Sequence, residues 1–485
     1  MSRKGILIFA NAPYDPDDRD SAIAHANRLV GKTLREAIDE FVPVASKELV
    51  MEEACKYATG KSKGKFGNAI EAGHFYYRPN SDKAPDLGWA ELKCTGLKKL
   101  KKTLAKRAKE RLVIGMINFG GGQRAESPSL LDETFSTSHA KRKLESLLLV
   151  FYDYKKDVPV FDLTVDRVGH WSPDENELRM IEEDWNTIRA LVEAGKAHTI
   201  SEGMTNLLGA CTKGATGASL VDQANSTERA KPRAFALKQA FVSQIYESLK
   251  KPTKRARAEL SLAGMNLYRQ EKGRFEDFVV SRLNYYAGKS TTQICEELGI
   301  IGSFNGKGQH AQRMRRFLNA VLTGNPEHNA KNLAEFKKTG LTIKTLRKMK
   351  SGLPKEAVSF PYFDYDELIA EEGEDWDDSE VYGMLTNRFL FIVLKFAGKG
   401  ADPIFVKAIF HSLSELDLDD ARSAWDMAIQ RAKERRYTEM PGQFDNRVIH
   451  VRPHDSIDKK TGKYRDGHIR QCFWLNKSYL RDVIK

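Results

Sequence analysis

The feature that most constrains this chain is that it nearly repeats itself. Trp89-Ala-Glu-Leu-Lys-Cys-Thr-Gly-Leu97 resembles Leu333-Ala-Glu-Phe-Lys-Lys-Thr-Gly-Leu341, at a separation of 244 positions. Glu183-Asp-Trp-Asn186 resembles Ser423-Ala-Trp-Asp426 at 240, and the segment Ala234 to Phe241 resembles Cys472 to Tyr479 at 238. Similar offsets in the same order point to a duplicated structural unit; chance similarity of short apolar strings is the competing account. A chain of 485 residues is also long for one hydrophobic core. The basic run from Lys250 to Arg257, with Pro252 ending the helix before it, marks the boundary. The expected organisation is a first domain over 1–250, a basic linker over 251–257, and a second domain over 258–485.

Periodicity predicts a mixture of helices and strands. Residues 20–58 read as helices, and Ala69 to Phe75 reads as a helix carrying Glu71. Gly88 to Thr95, Arg111 to Phe119, Leu147 to Tyr152 and Val160 to Val165 read as strands. Asn176 to Glu193 reads as a long amphipathic helix after the turn Ser172-Pro173-Asp174. The basic stretch 98–111 is expected to open a loop or helix with a positive face. The fold class is α/β or α+β.

The formal charge of +12 favours a polyanionic partner, because lysine and arginine release condensed counterions from nucleic acid. No apolar run reaches membrane-spanning length, and mean hydropathy is −0.51, so no membrane partner is expected. Five scattered cysteines without a CxxC argue against a disulfide scaffold or a zinc cluster and suit a reducing, cytoplasmic setting. His74, His139 and His170 do not share one element with metal-ligand spacing and read as packing or hydrogen-bonding residues.

The chemistry concentrates in Pro85-Asp86-Leu-Gly-Trp-Ala-Glu91-Leu-Lys93. In an extended strand Glu91 and Lys93 share one face, and Asp86 enters the same element close enough to converge with Glu91. Two neighbouring carboxylates suit a hard cation such as Mg²⁺, and a lysine beside them can orient or deprotonate water and offset charge on a phosphoryl transition state. A surface strand with ordinary Glu–Lys alternation would carry the same letters. Glu71, on the helix that follows Lys63-Gly-Lys-Phe-Gly67, adds a third acid aimed at the cluster.

The stretch Gly67-Asn-Ala-Ile-Glu71, Pro85-Asp86 and Glu91-Leu-Lys93 resembles the active site of the mismatch-repair nicking endonuclease family MutH. It is still more similar to the MutH-like type II restriction endonucleases that cut at GATC and carry two MutH-like halves. Ser138-His139 with Arg142-Lys143-Leu144, Arg167-Val-Gly169, the segment Trp171 to Asn176, Ser201-Glu-Gly203, the segment Leu207 to Gly214, and Pro232 to Lys238 extend the resemblance in order, over about residues 28–250.

The resemblance implies a restriction-endonuclease-like mixed sheet flanked by helices and duplicated as two MutH-like domains. It implies a Mg²⁺-dependent, site-specific endonuclease acting on double-stranded DNA at GATC. Asp86, Glu91 and Glu71 would ligate the metal, Lys93 would activate water, Lys143 would approach the scissile phosphate, and Thr212 and Lys213 would contact DNA. The four residues between Asp86 and Glu91 are fewer than in MutH itself, so a tighter turn is expected.

In the second half, Glu335 and Lys337 fall in the repeated Glu-x-Lys position, with Ala330 opposite Asp86. That half is expected to bind a second DNA site as an allosteric effector without cutting, and the chain to dimerise transiently on DNA. A mismatch-repair nicking enzyme and a non-catalytic DNA-binding protein are the alternatives.

Overall fold

The computed structural model describes residues 8, 12–59, 64–79, 85–99, 105–121, 128–214, 219–250, 273–302, 309–396, 401–453 and 470–485. The expected linker, 251–257, lies outside them. The chain divides into two compact units, and the division is not a single cut. Unit 1 comprises 1–198 and 207–256, whereas unit 2 takes residues 199–206 together with 257–485.

Unit 1 opens with four helices: α1 (Arg19–Asn27), α2 (Leu34–Phe41), α3 (Val44–Ala58) and α4 (Lys65–Gly73). Thr33 starts α2 with a reciprocal capping box to Glu36. A first sheet follows, in the order β2 (Lys106–Ala108), β1 (Glu91–Lys99), β4 (Leu147–Asp153), β5 (Val165–Trp171). β1 runs parallel to β4, and the outer pairs are antiparallel. Leu147 to Phe151 is buried on both faces, as a central strand in such a sheet requires. Leu92, Leu148 and Val150 close one face against α1 to α4.

A second sheet is antiparallel, in the order β3 (Leu112–Met116), β7 (Arg233–Leu237), β6 (Leu208–Thr212). Between the sheets in sequence come α5 (His139–Leu144) and the 19-residue α6 (Glu175–Glu193), and α7 (Gln239–Ser248) ends the unit. Asp184 of α6 accepts hydrogen bonds from the backbone amides of Leu207 (2.6 Å) and Leu208 (2.8 Å), pinning β6 to that helix.

Two local expectations are corrected. Val160–Asp162 is a 3₁₀ turn led by Pro159, and the strand begins only at Val165. The basic stretch forms no helix where it is described, and much of it is strand. Lys98 and Lys99 finish β1, and Lys106 to Ala108 pair back onto it. Lys106 is held by Asp153 and Asp166, so part of that positive strip is already neutralised.

Unit 2 repeats this plan. Its helices are α8 (Phe275–Asn284), α9 (Thr291–Glu297), α10 (Gln309–Thr323), α11 (Ala334–Thr339), α12 (Tyr365–Ala370), α13 (Glu380–Leu385), α14 (Glu415–Lys433) and α15 (Lys477–Val483). One sheet has the order β8 (Thr342–Lys348), β10 (Phe389–Lys395), β11 (Ile404–His411), with β8 parallel to β10. The other has β9 (Val358–Tyr362), β13 (Gln471–Leu475), β12 (Ile449–Pro453), again antiparallel. Even small devices recur. Gly31 and Gly288 both take positive φ before a capped helix, and their amides reach the carbonyls of Val165 and Phe405. Trp185 and Trp425 sit buried in the 19-residue helices. Two of the three sequence echoes therefore fall on matching elements.

The third does not. Leu333 to Leu341 forms α11, closed by Gly340 in the left-handed conformation, and the following residues make the strand. Register fixes the true correspondence. Glu91 pairs with Leu147, which pairs with Trp171, three residues before the α6 cap Asp174. Thr342 pairs with Phe389, which pairs with His411, three residues before the α14 cap Ser414. Thr342 and Lys344 thus stand where Glu91 and Lys93 stand, and Glu335, Lys337 and Ala330 do not occupy the positions expected of them.

His25 and His74 form a buried pair in unit 1. Their rings stack at 4.1 Å, and each Nε2 meets the other's backbone carbonyl, at 2.8 and 3.0 Å. Burial pushes His25 down to about 4 and His74 well below its ordinary range. A folded-state value below the unfolded one means the unfolded chain takes up protons first on acidification. The stability these rings contribute is complete above about pH 6.5 and is lost as pH falls toward 4. The urea midpoint should therefore drop between pH 7 and pH 5, and drop less in His25→Gln. An identical pH dependence in both proteins would refute this assignment.

Candidate active site

The site grows from the start of β1. The turn into that strand is tight, as expected: Leu87 N–H donates to Ala90 O (3.0 Å), and Gly88, at φ +71°, donates to Pro85 O (3.1 Å). That conformation is open to glycine and strained for other residues. The turn swings the Asp86 carboxylate back onto the strand, where Oδ2 accepts from the Leu92 amide at 3.0 Å. Glu91, 1% exposed, leads the strand, and Lys93 follows on the same face.

Parallel pairing of β1 with β4 brings up the fourth group. Ser138 caps α5, whose Lys143 lies 52 positions from Glu91 in sequence. Lys93 Nζ and Lys143 Nζ converge on the same Glu91 oxygen, Oε1, at 2.6 and 2.7 Å. The other oxygen, Oε2, is buried with no hydrogen-bond partner. An unsatisfied buried carboxylate oxygen is costly and calls for a cation or donor.

Glu71 completes the arrangement from α4. Burial, then the charges of Asp86 and Glu91, lift its carboxyl to about 8, so it carries a proton at neutral pH. Asp86 is raised by burial and then by Glu91. Burial alone would depress Lys93, but Glu91 and Asp86 outweigh it and hold the ammonium charged.

Among the described residues no three Asp, Glu, His or Cys side chains form a ready-made metal cage. The fit to a divalent ion rests instead on Asp86 and the orphaned Glu91 Oε2. A hard ion that keeps water and phosphate oxygens in its shell is commonly held by one or two carboxylates.

The structure thus gathers Glu71, Asp86, Glu91, Lys93 and Lys143. Thr212 and Lys213 lie apart from that cluster in sequence, at the end of β6, where the Lys213 amide donates to Pro232 O at 2.7 Å. The nearby Ser201-Glu-Gly203 belongs to unit 2.

Sequence reasoning missed Glu133, a positioning residue. It is buried, and its carboxylate takes both the ring Nδ1 (3.1 and 3.2 Å) and the backbone amide (3.3 Å) of His139, the first residue of the helix bearing Lys143. The acid ahead of the Thr134 and Ser138 cap residues was the available signal. His170 lies between Arg19 (2.9 Å) and Ser146 (2.9 Å).

Comparison with known proteins agrees with this geometry. Residues 75–184 match the family described as DNA mismatch repair enzyme MutH, a span that includes Asp86, Glu91, Lys93 and Lys143. The MutH proteins of Vibrio campbellii and Escherichia coli are each 30% identical over 115 residues, 23% of this chain and about half of theirs. The type II restriction enzyme Sau3AI of Staphylococcus aureus is 30% identical over 474 residues, covering 88% of this chain and 93% of that protein. Similarity that runs through both units, together with a MutH match over the site, places this chain in the family of MutH-like type II restriction endonucleases, site-specific deoxyribonucleases.

Proposed function

We propose that the chain is a Mg²⁺-dependent endonuclease that hydrolyses phosphodiester bonds of double-stranded DNA at GATC. The observation that carries this reading is Glu91, with one oxygen clamped by two lysines and the other left orphaned in a buried site. Asp86 and Glu91 would hold Mg²⁺, with Glu71 completing the acidic cluster once it loses its proton. The ion, when bound, polarises the scissile phosphate and lowers the pKa of attacking water. The charged Lys93 would orient the water and offset negative charge on the transition state, and Lys143 would face the phosphate as a second positive charge. Thr212 and Lys213 contact bases or phosphates in the major groove.

The first domain, 1–250, is the cutting half. The second, 258–485, binds a second DNA site as an effector, consistent with Thr342 standing where Glu91 would be. One cutting site per chain and a twofold-symmetric target imply a transient homodimer on DNA. An enzyme that acts on DNA in this way works in the cytoplasm, and among the described residues no helix is long and apolar enough to cross a membrane.

The test compares a plasmid bearing unmethylated GATC sites with one lacking them, each with Mg²⁺ or with EDTA. Linear fragments from the first plasmid, only with Mg²⁺, are expected. Nicked circles alone would favour the mismatch-repair type of activity, and no cleavage would leave a DNA-binding protein.

The proton on Glu71 adds a pH signature. Protonation competes with cation binding, so the Mg²⁺ concentration giving half-maximal cleavage should fall as pH rises from 6.5 through about 8. A requirement independent of pH over that range would show that Glu71 does not join the ion's surroundings.

A further inference from the structure

Unit 2 has kept the lysine of the acidic constellation and replaced two of its other members. Strand register puts Lys344 in the place of Lys93 and Thr342 in the place of Glu91. The helices before the central strands, α5 and α13, start on the matching serine caps Ser138 and Ser379, and five residues on Lys143 is answered by Met384. The pocket has therefore lost the carboxylate that captured a lysine in unit 1.

The lysine itself stays. Lys344 Nζ donates to the backbone carbonyl of Ser359 at 2.8 Å, and no salt bridge to it is found among the described residues. The charged group that acts on it most strongly is another cation, Lys331, and the two repel. Burial and that repulsion lower Lys344 from its ordinary value, whereas Lys93 in its carboxylate nest is raised. A half-buried ammonium with a second lysine acting on it and, among the described residues, no carboxylate bonded to it is a positive site open to an anion. Its natural complement is a phosphate oxygen.

We propose that unit 2 binds a DNA backbone phosphate through Lys344 and Lys331 at the position equivalent to the cutting site, and that it does so without a divalent cation. Unit 1 would use a metal to bring phosphate against carboxylates. Unit 2, having discarded Glu91's counterpart, meets the phosphate directly with ammonium groups. This inference rests on the reading of the second half as a DNA-binding effector, and it makes that half's affinity independent of Mg²⁺.

The test uses the full chain in EDTA, where cleavage is not read at all, and a fluorescent duplex of about 24 base pairs carrying GATC, long enough for more than two helical turns. Anisotropy is measured across a salt series. Lys344→Gln is expected to weaken binding about tenfold at physiological salt and to reduce the salt slope by about one, with Lys344→Arg restoring most of the affinity. In an Asp86→Ala background, which removes the metal response of unit 1, affinity should be the same in EDTA as with Mg²⁺ at matched ionic strength.

Affinity and slope unchanged in Lys344→Gln would overturn the proposal, as would binding that appears only with Mg²⁺ in the Asp86→Ala background. Should Lys344→Gln fail to melt cooperatively, Lys331→Gln at an exposed position decides in its place, by the same two readouts. Absence of plasmid cleavage by the wild-type chain would count against the endonuclease reading alone, because binding in EDTA tests the phosphate site independently of any cutting.

Discussion

Lys93→Ala should bind duplex DNA nearly as well as the wild type and cleave it at least about a thousandfold more slowly. The expectation comes from where the ammonium sits. Its Nζ lies 2.6 Å from Glu91 Oε1 and is kept charged by Glu91 and Asp86 despite its burial. The next lysine on that face of β1 is Lys99, roughly 20 Å further along the strand, too far to replace it.

Lys143→Ala should be milder, by about ten- to a hundredfold, because Lys93 still holds the same carboxylate oxygen. Glu91→Gln should resemble Lys93→Ala, because it leaves two ammonium groups facing a neutral amide. Single-turnover cleavage, set beside anisotropy for binding, separates these outcomes. A Lys93→Ala enzyme within about tenfold of wild type would remove Lys93 from the chemistry.

The largest effect on stability is expected at Trp185. Its indole is 1% exposed in α6, beside Phe135, and the ring N–H has no hydrogen-bond partner. Truncation to alanine removes a whole aromatic ring from a closed core and should cost about 3–5 kcal/mol. Trp185→Phe is a different experiment. It trims volume and also deletes an unsatisfied donor, so the two terms oppose, and the cost should stay below about 1.5 kcal/mol. Urea unfolding of both variants measures the gap. Near-equal losses would mean that the N–H is satisfied by a group such as a buried water, and that shape alone does not account for the site.

The convergence of acids and lysine was legible because most of it is contiguous. Asp86, Glu91 and Lys93 lie within eight positions of one turn and strand, where period-two alternation already assigns the faces. Lys143 was reachable only by resemblance. It is brought in by pairing between two strands whose partners no local pattern names.

The repeat shows the opposite case. Trp89 to Leu97 and Leu333 to Leu341 share letters and not structure, since one pairs with a buried central strand and the other is closed as a helix by Gly340. Tertiary pairing overrode local similarity. The true counterpart, Thr342 to Lys348, is polar enough to hide from a search for apolar echoes. Val160 to Val165 misled in the same way: an apolar run after a proline looked like a strand and folded as a turn.

The eight residues 199–206 have an awkward genetic consequence. They are encoded within the first half and folded into the second. There Ser201 Oγ donates to Leu413 O at 2.8 Å, Asn206 meets the Glu276 carboxylate at 3.1 Å, and the Arg388 guanidinium reaches Met204 O. A gene divided at the basic run near residue 250 would therefore give one product with a stray loop and another with a hole. Arg388 and Glu276 in the latter would face a gap once filled from upstream. The halves share one plan, yet they are not interchangeable parts. Shuffling, fusion or separate expression of either half has to carry that short insert across with its adopted partner.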